Sequence, residues 1–385
     1  MNDDVGTGLT TWIEVSAAAL RNNLELFRSL LTPGTALLAV VKANGYGHGL
    51  EHVARTCAGT GVEMLGVHGA AEVLALRRAG LELPILVMGY LTVAQVEQVV
   101  DPGVHVLVSS RRVLDALGAH AARLGSSLAV HLKVDTGTHR QGVTPDEAVH
   151  LAREAGRLGL RVAGVATHFA NIEDTTDHSY ARGQLDRFRA AVAAVEGAVG
   201  PVPHVHAACS AAALLFREAD FSMARVGISL YGHWPSKETH LSWLLAHGRD
   251  GVKLEPALSW RVVVGQVKDV PRGSPIGYGL TFRPTRDSRI AVLPVGYADG
   301  YPRSLSNRAS VLLHGCRAPV VGRVCMDIVL VDVTDVPDVA EGDVATLIGR
   351  DGEERVTAEE LAELAGTINY EVLARLSPDV PRLLV

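Results

Sequence analysis

Short apolar runs recur across the first 235 residues, at 35–42, 63–68, 83–89, 104–109, 128–135, 162–169, 204–208 and 223–230. Most are continuously apolar rather than alternating, the pattern of parallel strands covered on both faces. Helix-period stretches lie between them. Residues 144–157 open on Thr144-Pro145-Asp146-Glu147, a capping box with proline at the first helical position. Residues 181–199 carry Leu185, Phe188, Val192 and Val195 at helical spacing. Eight strands alternating with helices predict a (β/α)8 barrel in preference to an open doubly wound sheet. After about residue 250 the texture changes. Valine-rich runs at 258–268, 289–295, 310–314, 318–324, 327–333 and 343–348 are separated by Gly, Pro and Asp. Little helix intervenes before 357–366, where Thr357 and Glu360 form another capping box. This half reads as a mostly antiparallel β domain. The β-like LTTWIEV stretch precedes the barrel pattern and suits either domain. The predicted organisation is an N-terminal strand over 1–13, a barrel over 14–250 and a C-terminal β domain over 251–385.

The 385 residues exceed what one hydrophobic core usually serves, consistent with two domains. The net charge of −6 gives no basic face for nucleic acid or a membrane surface, so neither partner is expected. The four cysteines, Cys57, Cys209, Cys316 and Cys325, form no Cys-x-x-Cys pair and no disulfide framework. The acidic start, MNDDVGTGLTTW, lacks an apolar h-region, and no apolar run nears the roughly 18 residues of a membrane span. A cytoplasmic protein is the expectation.

In barrel enzymes the chemistry gathers at the C-terminal ends of the strands. Here the first strand ends on Lys42. The fifth ends on Asp135 and leads to Arg140, and the sixth ends on His168. Cys209 and Ser210 follow the seventh, and the eighth contains Arg225, followed by Gly227 and Ile228. The loops after strands seven and eight commonly hold a phosphate in such barrels. Ser210 opens a helix, and Gly227 permits close backbone approach. Burial of a lone lysine frees its amine as nucleophile or base. A phosphate site beside such a lysine suggests pyridoxal phosphate held as a Schiff base. Each residue has a plainer reading: Lys42 as a solvated or paired side chain, Ser210 as a helix cap. Arg225 could pair with a carboxylate, and His168 could be a core histidine. Their placement on different strand ends of one barrel favours a common site. His204 and His206 share a strand face, but no third metal ligand stands at suitable spacing. Asp174 to His178 (DTTDH) reads as a solvated loop.

Val41-Lys42-Ala43-Asn44-Gly45-Tyr46-Gly47-His48-Gly49 resembles the signature of alanine racemases. The resemblance continues in order along the chain. It takes in Lys133-Val134-Asp135-Thr136-Gly137 with Arg140, Thr167-His168-Phe169-Ala170, and Arg225-Val226-Gly227-Ile228 with Tyr231-Gly232. In the second half it takes in Gly277-Tyr278-Gly279, Val295-Gly296-Tyr297-Ala298-Asp299-Gly300, Gly322-Arg323-Val324-Cys325-Met326-Asp327 and Gly366-Thr367-Ile368-Asn369-Tyr370-Glu371.

The resemblance implies a pyridoxal-phosphate racemase acting on a small amino acid, alanine first. It also implies a homodimer with active sites shared between the barrel of one subunit and the β domain of the other. Lys42 is then the cofactor lysine and one base, and Tyr278 the other. Tyr46, His168, Ser210, Arg225, Gly227, Ile228 and Tyr370 are implied for cofactor binding. Arg140 and the Met326 backbone N–H are implied for the substrate carboxylate, Tyr297 for the entrance, and Lys133 as a candidate for carbamylation; an ordinary ion pair with Asp135 or another acid is its alternative. Cys209 and Thr138 depart from the usual asparagine and methionine. The loop Asn171 to Tyr180 and the pair His233-Trp234 are also unusual, which leaves serine or broader specificity open. A barrel-type decarboxylase and a non-catalytic cofactor carrier are the rival readings. Arg225 and the Tyr278 motif argue against the first, and the whole second domain argues against the second.

Overall fold

The structure, a computed structural model, describes residues 8–248 and 251–385. The first seven residues of the acidic start, and the boundary placed at 250, lie outside those described. Two compact units make up the chain. One comprises Ala19–Gly45 and Leu50–Glu255; the other comprises Met1–Ala18, Tyr46–Gly49 and Pro256–Val385.

The strand β1 (Thr11–Val15) belongs to the second unit. The first unit holds eight strands: β2 (Ala36–Val40), β3 (Met64–Val67), β4 (Ile85–Val87), β5 (Val104–Val108), β6 (Ala129–Lys133), β7 (Arg161–Ala166), β8 (His204–His206) and β9 (Met223–Val226). Neighbours pair in parallel in the order β8-β7-β6-β5-β4-β3-β2-β9. The β8 and β9 edges close on each other through single bonds, Ser222 N–H to Val205 O at 3.2 Å and Arg225 N–H to Ala208 O at 3.0 Å. This is the nearly closed eight-stranded parallel barrel that the apolar runs predict. The strands are short and buried along almost their whole length. The helix Pro145–Arg157 starts as its sequence requires: Thr144 Oγ1 accepts from Glu147 N–H, and Glu147 Oε2 accepts from Thr144 N–H. Helix Ser179–Val199 buries Leu185, Phe188, Val192 and Val195 against the barrel unit.

In the second unit β1 pairs antiparallel with β10 (Leu258–Val263) and parallel with β18 (Arg382–Leu384). The larger sheet runs β14 (Cys316–Pro319), β13 (Ser310–Leu313), β16 (Val344–Asp351), β10, β1, β18, with β17 (Glu354–Val356) beside β16. A smaller antiparallel sheet joins β11 (Gln266–Val270), β12 (Ser288–Leu293) and β15 (Val329–Asp332). Two apolar runs divide differently from their sequence reading. The run 258–268 breaks at Val264-Gly265 into strands of two separate sheets. The run 318–324 is not one strand, because β14 stops at Pro319, which has no N–H for a ladder, and Gly322 turns at φ +77. Thr357 caps helix Ala358–Ala365 by accepting from Glu360 N–H at 3.1 Å. The return half of that capping box is missing, since the Glu360 carboxylate is taken by Arg317.

Tyr46–Gly49 is grouped with this unit, and Gly47 shows why its side chain is absent. Its φ is +84, and a Cβ there would lie 2.0 Å from the Leu373 carbonyl oxygen. Its own carbonyl accepts from Arg382 Nε at 3.1 Å and Nη2 at 2.9 Å. Gly47→Ala should therefore lower stability by at least ~2 kcal/mol, from backbone strain plus displaced packing. Urea unfolding checks this, and an unchanged midpoint would contradict it.

Candidate active site

The first barrel strand ends at Val40 rather than on Lys42. Lys42 opens a turn of left-handed backbone: φ is +54 at Ala43, +54 at Asn44, +62 at Gly45 and +52 at Tyr46. For non-glycine residues this costs roughly 1–2 kcal/mol each. Three bonds hold it. Gly45 N–H donates to Val41 O at 2.9 Å, Ala43 N–H to Glu72 Oε1 at 2.7 Å, and Leu50 N–H to Asn44 Oδ1 at 2.9 Å. Strain of this kind, kept by surrounding bonds, is typical of functional sites. Lys42 is half-buried, and its ammonium is shifted below the usual lysine range. Burial is the main cause, the cationic Arg140 and Arg225 add to it, and Glu72 opposes it. More of its amine is thus free to attack a carbonyl at neutral pH.

Arg225 on β9 is buried and has no carboxylate partner among the described residues. Its Nη1 donates to His206 Nδ1 and to His206 O, both at 2.9 Å. Its Nη2 faces Thr167 O at 2.9 Å, Ala207 O at 3.1 Å and His168 Nδ1 at 3.3 Å. A guanidinium has five N–H groups. The four on Nη1 and Nη2 are claimed, and Nε–H is the one without an acceptor among the described residues. Burial lowers its pKa to about 10, which still leaves it protonated at neutral pH. The carboxylate pairing that the sequence left open is absent here.

Ser210 is not the cap of its short helix; Cys209 occupies that position. The Ser210 hydroxyl instead accepts from Gly227 N–H at 3.0 Å and Ser229 N–H at 3.4 Å. The next N–H, on Ile228, has no acceptor among the described residues. Hydroxyl and backbone N–H groups thus meet where β8 and β9 end, a donor set suited to a phosphate.

Lys133 ends β6 and is buried, with its pKa driven far below the usual value first by burial and then by Arg225 and Arg140. No carboxylate ion-pairs with it among the described residues. The Asp135 carboxylate is committed to the backbone N–H groups of Gly137, Thr138 and His139 at 2.9, 3.0 and 3.2 Å. Arg140 is exposed and makes no ion pair among the described residues. His168 lies two residues past the end of β7. Burial, followed by Lys133, Arg225, Arg140 and Lys42, holds its imidazole neutral. Thr138 Oγ1 donates to His168 O at 2.6 Å, and Gln184 Nε2 donates to the same oxygen at 3.2 Å. The Cys209 thiol, 3.7 Å from Glu173, is pushed up to about 12 by burial, which makes it unreactive.

In the second unit, Tyr46 and Tyr370 bring their rings to 6.2 Å between centroids. Tyr278 sits on a 3-10 turn and is 72% exposed. Tyr297 and Met326 are also exposed. Tyr297 N–H donates to Cys325 O and Ala298 N–H to Met326 O, so the two loops run side by side. The Met326 N–H has no acceptor among the described residues.

Sequence reading missed Glu72, which accepts from the turn after Lys42, and Gln184, which braces His168. It also missed His131, bonded to His206 at 2.8 Å, and His105, bonded to His131 at 2.9 Å. The available signal was His131 standing two residues before Lys133, on the same strand face. These imidazoles bond to one another rather than to a metal. Tetrahedral ligands would stand ~3.3 Å apart, given metal–nitrogen distances of about 2.0 Å.

A parallel barrel that gathers at its strand ends a lysine of lowered pKa, a hydroxyl beside free backbone N–H groups, and an arginine without a carboxylate partner among the described residues has the architecture of a barrel enzyme. The comparisons with known proteins name the family. The pattern "Alanine racemase, N-terminal domain" matches residues 15–235, and "Alanine racemase, C-terminal domain" matches residues 257–384. An alanine racemase of Symbiobacterium thermophilum is 45% identical over 97% of this chain and 96% of its own. The solved structure of an alanine racemase of Clostridium difficile 630 superposes with a TM-score of 0.90 at 34% identity, covering 98% of this chain and 96% of that one. The structure of a Bartonella henselae alanine racemase, with covalently bound pyridoxal phosphate, superposes at 0.83 and 26% identity, covering 98% and 100%. The chain belongs to the alanine racemase family, and it is an isomerase.

Proposed function

We propose that this enzyme interconverts L- and D-alanine with pyridoxal phosphate on Lys42. Lys42 and Tyr278 of the partner subunit act as the two bases in a homodimer. The observation that carries the reading is Arg225: a buried guanidinium held by carbonyls and an imidazole, with Nε–H as its one unclaimed donor. When bound, pyridoxal phosphate supplies an aldehyde for the amine and a ring that accepts electrons as the α-proton leaves.

The residues present fit that group. Lys42 offers a partly desolvated amine. Ser210, Gly227 and Ile228 offer donors for the phosphate, and the family resemblance adds Tyr46 and Tyr370 to the set. Arg225 Nε–H would hold the ring nitrogen of the bound cofactor, and a guanidinium has no proton to yield at neutral pH, so that nitrogen would stay unprotonated. That limits how far the ring drains the α-carbon and favours returning a proton over transamination. Arg225→Glu should raise transamination relative to racemisation; a ratio unchanged from wild type would count against this role.

With its amine free, Lys42 Nζ would hold or return a proton on one face of the α-carbon. The partner subunit's Tyr278 does so on the other, its phenol linked through His168 to Arg225. Arg140 and the partner subunit's Met326 N–H bind the carboxylate, and the partner's Tyr297 lines the entrance. An uncharged Lys133 amine can add carbon dioxide with loss of a proton. The resulting carbamate would orient Arg140. Exposed Tyr278, Leu280, Tyr297, Met326, Ile328 and Ile368 are the apolar surface expected of a subunit interface. The physiological role is cytoplasmic supply of D-alanine for peptidoglycan. Among the described residues no helix is long and apolar enough to cross a membrane.

The test is to incubate purified protein with a panel of L-amino acids and follow optical rotation. Alanine should lose it fastest. Carbon dioxide release from lysine, arginine or ornithine would revive the decarboxylase reading, and no change with any substrate would favour the carrier.

A further inference from the structure

Inside the barrel, four histidines from three strands crowd together: His105 on β5, His131 on β6, and His204 and His206 on β8. His105, His131 and His206 are buried. His105 Nδ1 lies 2.9 Å from His131 Nε2, His131 Nδ1 lies 2.8 Å from His206 Nε2, and His206 Nδ1 lies 2.9 Å from Arg225 Nη1. The His131 and His204 rings stack at 5.6 Å, 7° from parallel.

The chain has a built-in direction. Arginine carries donors and no acceptor. His206 Nδ1 must therefore be the bare nitrogen, which puts the proton of the neutral ring on Nε2. That proton points at His131 Nδ1, which must then be bare in turn. The same step fixes the His131 proton on Nε2, aimed at His105 Nδ1. Reversing any one ring sets two N–H groups, or two lone pairs, against each other in a dry interior. Protonating a ring does the same. Burial first, then the cationic Arg161 and Arg225 and the neighbouring imidazoles, hold all four rings neutral; His105 is lowered to about 4. Gly164 on β7 makes the room: a Cβ there would meet His131 Nδ1 at 2.3 Å.

We propose that His206, His131 and His105 form a one-way hydrogen-bonded chain that pins the Arg225 guanidinium, making His131 and His105 positioning residues of the cofactor site. With Nη1 fixed by His206 and Nη2 by Thr167 and Ala207, the Nε–H has one direction left. Cutting the chain at His131 strands the His206 Nε2–H without an acceptor. The His206 ring can then turn its N–H toward the guanidinium and displace it. The catalytic part rests on the reading above, in which Arg225 faces the ring nitrogen; the proton placement does not.

Two measurements on the full-length protein test this. The first is nitrogen-15 NMR of labelled histidine in the wild-type enzyme, with cofactor, near pH 7. His105, His131 and His206 should each be neutral with the proton on Nε2. An Nδ1–H form or a charged ring at any of the three overturns the chain. The second compares His131→Leu with His131→Gln, whose amide keeps one acceptor and one donor. His131→Leu should lower kcat on the order of 10–100-fold, raise the transamination fraction and shift the cofactor absorption band, leaving KM little changed. His131→Gln should restore most of each. If His131→Leu folds and keeps the wild-type partition and band, the positioning role is wrong. If it does not fold, the wild-type tautomers still decide the chain. A protein that races no amino acid yet shows the three Nε2–H tautomers would refute the proposed function and leave the chain intact.

Discussion

Tyr278→Phe is expected to cut racemisation by ~10²–10⁴-fold, the range for loss of one acid–base group. The loss should be unequal in its signature. With one base gone, the remaining amine can still exchange the α-proton on its own face. Solvent deuterium should then enter one enantiomer of alanine with retention while the other is nearly inert. Tyr278 is 72% exposed on a short turn and carries no core packing, so the fold should be unharmed. A variant that exchanges both enantiomers at wild-type rates would remove Tyr278 from the mechanism. Mixing Tyr278→Phe with a Lys42→Ala subunit adds a check on the shared site. If each site draws Lys42 from one subunit and Tyr278 from its partner, heterodimers carry one intact site and regain activity that neither parent has. No recovery on confirmed heterodimers would contradict the sharing.

Lys42→Ala should be the more damaging change, with a loss of ~10⁴-fold or more, because in the proposed mechanism one side chain both holds the cofactor and serves as a base. The remaining donors, Ser210, Gly227, Ile228 and Arg225, should still bind pyridoxal phosphate reversibly. The expected result is a protein that takes up the cofactor but releases it on dialysis and shows no band from a covalent linkage. Added primary amines should restore a small part of the activity. Retention of the covalent band would mean that another amine carries the cofactor.

Much of this was legible in the sequence, for identifiable reasons. A strand buried on both faces has to be continuously apolar, so eight such runs announced the barrel. Lys42 could be singled out because a charged residue closes such a run directly before Asn44 and three spaced glycines. What stayed hidden depends on bonds between distant strands. Nothing in the sequence announces that Ser210 accepts from Gly227 rather than capping its helix. Nothing announces that Asp135 spends its carboxylate on its own loop and leaves Lys133 unpaired. The histidines are the clearest case. His204 and His206 read as a metal pair lacking a third ligand, while the partners, His131 and His105, stood on other strands. The departures are partly explained. Thr138 ties its loop to the His168 carbonyl, and Cys209 is a buried, inert thiol.

The central claim is a covalent bond between one nitrogen and one aldehyde carbon. Borohydride reduction of the cofactor-loaded enzyme, followed by digestion and peptide mass spectrometry, reads it directly. The account predicts a single pyridoxyl adduct on the peptide containing Lys42; an adduct on any other lysine, or none, would contradict it.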